Sequence, residues 1–164
     1  MRKPRPQSSH QASLPRDRRS ARALDLRAFL PAAITLLAHK ISASASAAYR
    51  PRFGVGVTGW RIMALLAAEP WIAPVRIAES TGLDKAAVSR ALRELCRIGL
   101  VEVSAPPPRR RGVLALTTRG LALHDELVEA AQARQSRLLH GFTSVERAKL
   151  REFVDRMLNT VGEM

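Results

Sequence analysis

At 164 residues, with 46% apolar and 25% charged side chains, the chain has room for one domain with a real core and is not disordered overall. A formal charge of +13 and a pI near 11.6 point to a polyanionic partner, either nucleic acid or an anionic membrane surface. One cysteine excludes an intramolecular disulfide, and the four histidines with Cys96 show no metal-ligand spacing, so no metal or other cofactor is expected and a reducing cytoplasm fits.

Residues 1–22 mix Pro, Ser, Gln and Arg without periodicity and are expected to be a disordered basic tail. Seven Lys or Arg against Asp17 give that tail a net of +6, which leaves +7 for the remainder, so the folded part is basic in its own right. The tail reads either as a solubilising extension or as an arm that holds DNA phosphates, and basic arms are recurrent on DNA-binding domains. Arg18-Arg19 ahead of the apolar run Ala28 to Ala38 loosely outlines a twin-arginine leader. Arg22, Asp25 and Arg27 break that outline, and the run is too short to span a bilayer. No membrane partner is expected, and the chain is read as cytoplasmic.

From Pro31 to Tyr49 the apolar positions Ile34, Leu37, Ile41, Ala45 and Ala48 keep a helical period, and Pro31 suits a first helical turn. Arg50-Pro51-Arg52-Phe53-Gly54 is expected to break this helix. Thr58 can cap the next one, Gly59 to Ala68, with Trp60, Met63, Leu66 and Ala67 on its inner side and Pro70 at its end.

A short helix from Pro74 to Ser80, a turn at Thr81, Gly82 and Leu83, and a second helix from Lys85 to Ile98 form a helix-turn-helix. Val88, Leu92 and Leu95 recur at i, i+4 and i+7 and give the second helix one stripe to bury. Lys85, Ser89 and Arg93, with Arg90 beside them, put positive charge and donors on another face. Asp84 is a good N-cap, and Gly99 sits where a left-handed C-terminal residue is wanted. Leu100 to Val103 and Val113 to Leu116 are β-favouring runs, and the segment between them holds three prolines and Arg109, Arg110 and Arg111. Prolines cannot donate to a ladder, so this is a hairpin with a long, basic tip, the wing of a winged helix-turn-helix.

Thr117 is expected to cap a long helix from Thr118 to His140, with Leu123, Leu127, Ala130, Ala131, Arg134 and Leu138 along one stripe. Thr143 and Glu146 form a capping box for a last helix ending near Val161 that buries Leu150, Val154, Met157 and Leu158. These stripes exceed what the small winged module can cover, so the terminal helices are read as a dimer interface.

The run Gly82-Leu83-Asp84-Lys85-Ala86-Ala87-Val88-Ser89-Arg90-Ala91-Leu92, then Leu95 followed by Gly99-Leu100-Val101, and Leu116-Thr117-Thr118-Arg119-Gly120 leaving the wing, resemble the MarR family of bacterial transcriptional regulators. The Trp60-Arg61 pair is similar to one branch of that family, and the resemblance covers roughly residues 26–160. At the wing the usual Asp-x-Arg falls on Pro108, Arg109 and Arg110, so the arginine is kept and the aspartate that orients it is lost. The implied fold is mainly α with a small β-wing: a winged helix-turn-helix domain plus long N- and C-terminal dimerisation helices. In this reading residues 23–164 are one MarR-like domain, with about 58–117 the winged helix-turn-helix and 23–50 and 118–164 the dimerisation helices.

Lys85, Ser89, Arg90 and Arg93 are the candidates for base edges in the major groove, and Arg109, Arg110 and Arg111 for phosphate or minor-groove contact. Trp60 and Arg61, with His39 and Ser42 opposite, read either as an effector pocket in which Arg61 pairs with an aromatic acid, or as a core Trp beside a solvated Arg. Cys96 reads as a small core residue in preference to a peroxide-sensing thiol. The sequence holds no Gly-rich phosphate loop, no nucleophile with a spaced base and no distinctive carboxylate pair, so no enzyme is expected. The expected function is sequence-specific binding of double-stranded DNA by a homodimer, a repressor on a pseudo-palindromic operator, and the resemblance allows release by a small aromatic or phenolic ligand. The alternative is an architectural or accessory winged-helix protein that binds nucleic acid without sequence preference.

Overall fold

A computed structural model describes residues 24–26, 28–104 and 112–163 of the chain. The basic tail and the wing tip with Arg109, Arg110 and Arg111 lie outside the described residues. By contact the chain divides into two units, Met1–His39 and Lys40–Met164. The first contributes the opening half of helix α1, whose Leu30, Ile34, Leu36 and Leu37 are exposed. The second contains everything else.

Helix α1 runs Leu30–Phe53 and does not break at Arg50 as the sequence suggested. Pro51 forfeits one backbone bond in the last turn, but Tyr49 and Phe53, one turn apart, are both buried with their rings edge to face at 6.2 Å. Burial of two aromatic rings outweighs one absent hydrogen bond of about 0.5–1.5 kcal/mol. The break comes at Gly54, at φ 70°.

Helix α2, Val57–Ala68, begins earlier than a Thr58 cap would allow. Its N-cap is Gly56, which has no side chain to offer, and the Val57 N–H donates instead to Ser46 Oγ on α1 at 3.1 Å. A tertiary contact therefore replaces the local cap. Ile62, Met63 and Leu66 of α2 are almost completely inaccessible and form the centre of the core, whereas Trp60 and Ala67 are half-buried at its margin.

Helices α3 (Pro74–Thr81) and α4 (Lys85–Arg97) are joined through Gly82 in the left-handed region at φ 64°. Asp84 caps α4, accepting from the Ala87 N–H at 2.8 Å, and Val88, Leu92 and Leu95 are buried. Strands β1 (Val101–Ser104) and β2 (Val113–Leu116) pair antiparallel with Val101 opposite Leu116. All four β2 residues are buried, and on its other edge β2 is bridged at one residue: Ile72 and Leu114 exchange backbone bonds at 2.9 and 3.2 Å. That extra edge was not legible in the alternation pattern.

Helix α5 (Thr118–Leu138) is stapled to the end of α4 through the wing base. Thr117 Oγ1 donates to the Gly99 carbonyl at 2.8 Å and accepts from the Gly120 N–H at 3.0 Å, while Arg119 Nη1 donates to the Ile98 carbonyl at 3.0 Å. Gly120 packs so closely on this corner that a Cβ would overlap the Leu100 carbonyl. Helix α6 (Ser144–Gly162) carries the expected capping box, Thr143 with Glu146. The expectation that α6 buries Leu150, Val154, Met157 and Leu158 is not met within one chain: all four are exposed, because none of the described residues covers them.

Candidate nucleic-acid interface

The buried stripe of α4 fixes where its other residues stand. At about 100° per residue, with Val88, Leu92 and Leu95 inward, Ala86, Arg90, Arg93 and Arg97 lie nearly opposite the core. Lys85, Ser89 and Cys96 occupy one flank, and Ala87, Ala91 and Glu94 the other. Lys85, Ser89, Arg90 and Arg93 are therefore all on the outer surface, but not on one strip. Sequence spacing missed Ala86 and Arg97. Ala86 is small enough to let the backbone approach a base or a thymine methyl, and its place in the first turn was the available signal.

On the Lys85 flank a groove of about 850 Å³ opens between α3, α4 and the wing strands. Its floor is apolar, from Val88, Leu92 and Leu114, and Lys85, Ser89 and Arg93 stand along its edge. Arg93 Nη1 donates to Ser89 Oγ at 2.9 Å, which steadies the guanidinium across one helical turn. Cys96 also lines the groove and is half-buried, so it is not wholly enclosed by the core. Burial pushes its thiol pKa up and disfavours the reactive thiolate. Arg97 is held by Glu94 through a bidentate pair at 2.7 and 2.9 Å, which holds the Glu94 carboxyl below its usual range.

Around α2 the structure places the other candidates separately. Trp60 is half-buried, with its ring stacked on His124 at 5.4 Å and edge-on to Tyr49 at 6.4 Å. Arg134 completes this cluster, 5.7 Å above the Tyr49 ring, with Nη2 donating to Ser44 Oγ at 3.1 Å. Arg61 is exposed on α2, Ser42 is half-buried on α1, and His39, in the first unit, is exposed. Sequence reasoning did not find the partners of Trp60. Tyr49 and His124 lie 11 and 64 residues from it, and only the packing of α1 and α5 against α2 joins them.

A MarR family model matches residues 53–112 of the chain. A MarR/EmrR family transcriptional regulator from Acinetobacter sp. ADP1 superposes with a TM-score of 0.80 at 31% identity, over 86% of this chain and 100% of that one. The chain belongs to the MarR family of transcriptional regulators. More distant MarR-fold structures agree in fold. The PcaV regulator from Streptomyces coelicolor, solved with its natural ligand, gives a TM-score of 0.71 at 22% identity over 86% of this chain and 99% of that one. MepR from S. aureus, solved as a DNA complex, gives 0.69 at 18% identity over 80% and 95%. A search of curated proteins returns no match.

As a MarR family member the protein is a DNA-binding transcriptional regulator, and its winged helix-turn-helix is the part that the family model spans. The Leu-Thr-x-x-Gly run that marks the family here has a physical basis in this structure: Thr117 ties the ends of two helices together, and Gly120 permits the approach. Among the described residues no helix is long and apolar enough to cross a membrane, and no group of three His, Cys, Asp or Glu side chains could hold a metal ion.

Proposed function

We propose that the protein acts in the cytoplasm as a homodimeric repressor that reads a pseudo-palindromic operator through α4. The observation that carries this reading is the outer face of α4, where Arg90 and Arg93 stand opposite a fully seated apolar stripe and no acidic side chain is paired with either among the described residues. Arg93, steadied by Ser89, is suited to bidentate pairing with a guanine edge. Lys85 stands near the start of the helix, and Arg109, Arg110 and Arg111 are assigned to phosphate contact from the wing. MepR, solved as a DNA complex, supports DNA binding by this fold. The division into a tail (1–22), a winged module (about 58–117) and dimerisation helices (23–50 and 118–164) belongs to the same proposal. It is supported by the apolar side chains that α1 and α6 leave exposed.

Release of DNA by a small aromatic or phenolic ligand is the second part of the proposal. The PcaV structure with its natural ligand supports ligand binding by this fold. In this chain the reading rests on Trp60, stacked on His124, with Arg61 the next residue along α2.

The test is a selection of bound sequences from random DNA followed by competition titration. A regulator is expected to favour its selected site over random DNA by about a thousandfold or more, and that site is expected to be an inverted repeat. Equal affinity for both would instead support an architectural role without sequence preference.

A further inference from the structure

A second cavity, of about 340 Å³, opens on the flank of α4 away from the groove, between that helix and the turn joining α1 to α2. Arg50, Gly56 and Thr58 line one wall, and Ala87, Arg90 and Glu94 the other. Arg50 lies directly across Gly56: a Cβ there would stand 3.0 Å from Arg50 Nε and 3.1 Å from Nη2. The backbone at Gly56, φ −86° and ψ 175°, is open to any residue, and a side chain there would have to push the guanidinium aside. Glu94 is the one acid in the lining, and Arg97 already engages both of its oxygens. Among the described residues neither Arg50 nor Arg90 has an acidic partner.

Two guanidinium groups facing one small open cavity repel each other when it is empty, and they fit an anion that accepts several hydrogen bonds at once. Arginine's planar fork matches phosphate oxygens in that way. The cavity adjoins the outer face of α4, where a strand bordering the major groove would run beside the helix. We infer that it seats one DNA backbone phosphate, gripped from two sides by Arg50 and Arg90. This rests on the proposed placement of α4 in the major groove, and it divides the two outward arginines: Arg93 reads bases, whereas Arg90 joins Arg50 in fixing register. Each half-site is then clamped on both flanks of α4, by the wing on one side and by this cavity on the other.

The test uses the full chain, wild type and three variants, on a duplex carrying the selected site and on a random-sequence duplex across a salt series. Arg50→Gln removes the charge. Gly56→Ala keeps the charge but displaces the guanidinium, and Arg52→Gln removes an equal charge two residues away, where the guanidinium lies over the Phe53 ring. For Arg50→Gln the slope of log affinity against log salt is expected to fall by about 0.9 for each phosphate that is no longer neutralised, with the preference between the two duplexes retained. Gly56→Ala is expected to weaken both duplexes, and Arg52→Gln to change the slope by less than half as much. Ethylation of one phosphate per half-site should weaken the wild type, and weaken Arg50→Gln less, because Arg90 alone then faces that phosphate. An unchanged slope for Arg50→Gln, or one equal to that of Arg52→Gln in folded protein, overturns the inference. A wild type that shows no preference for the selected site overturns the reading of α4 instead. Should Arg50→Gln fail to fold, by circular dichroism and thermal midpoint, Gly56→Ala and the ethylation pattern of the wild type still decide: unweakened binding and no blocking phosphate refute the cavity.

Discussion

The winged module closes over its own apolar residues, whereas the last helix of the chain exposes them. Ile62, Met63 and Leu66 of α2 are sealed by α4, α5 and β2, but α6 has no buried residue, and Val145, Leu158 and Val161 are about two-thirds exposed or more. Both regions have well-formed helices. The α6 capping box, with Thr143 and Glu146 satisfying each other's backbone groups, is a more complete local helix start than Gly56 of α2, which has no side chain of its own to cap with. Helix formation is thus a local matter, settled by caps and propensity, while burial depends on what else is present. A helix this apolar on one side is stable in water only when something covers that side, and a second copy of the chain is the occupant that the proposed function supplies.

The largest effect is expected at α6. Replacing Val154 and Leu158 together by Asp is expected to convert a dimer at micromolar concentration to monomer in analytical ultracentrifugation, with helix content largely kept by circular dichroism. Unchanged dimerisation would leave the exposed stripe without its proposed partner.

The opposite behaviour is expected in the module. Ile62→Ala, at a fully buried position, should cost about 2–5 kcal/mol of unfolding free energy, because apolar packing is removed and a cavity is left behind. Denaturant titration measures it, and the loss should appear in monomeric and dimeric protein alike. If the cost vanished in the α6 double variant, the two regions would not be independent.

The smallest effect concerns caps. Asp84→Ala removes the side chain that accepts from the Ala87 N–H and should cost about 0.5–2 kcal/mol. Ser46→Ala removes the cap that α1 lends to α2 and is expected to cost a similar amount, although the two residues it joins are 11 apart in sequence. A thermal melt of each variant tests whether a cap borrowed from another helix is equivalent to one in the same chain segment. A negligible effect of Ser46→Ala would mean that water caps α2 equally well.

What could be read from the sequence follows this same division between local and distant. The stripe Val88, Leu92 and Leu95 predicts which face of α4 is inward, and the burial agrees, because a 3.6-residue period with Asp84 and Gly99 at its ends leaves only one way to orient the helix. The polar and basic residues Lys85, Ser89, Arg90 and Arg93 follow from that orientation as an outer surface. Their separation onto a groove flank, an outermost strip and a cavity flank does not, since it depends on where α3, the wing and the α1–α2 turn come to rest.

Local signals also misled where packing was stronger. Pro51 announced a helix end that Tyr49 and Phe53 postponed, and Thr58 looked like a cap that Ser46 made unnecessary. The burial of those two rings and the reach of Ser46 to α2 both depend on how α1 packs, so no window of residues contained the answer.

By itself, then, the sequence determined the kind and order of the described elements, most of their caps, the inward face of α4 and the strongly basic character of the chain. These depend on the chemistry of residues within a few positions of one another. Only the tertiary structure decided that Ile72 bridges β2 at Leu114, that Trp60 stacks on His124, and that Arg50 and Arg90 line one cavity. Each of those joins residues from different elements, and their meeting is set by the packing of helices around Ile62, Met63 and Leu66, which a linear reading does not contain.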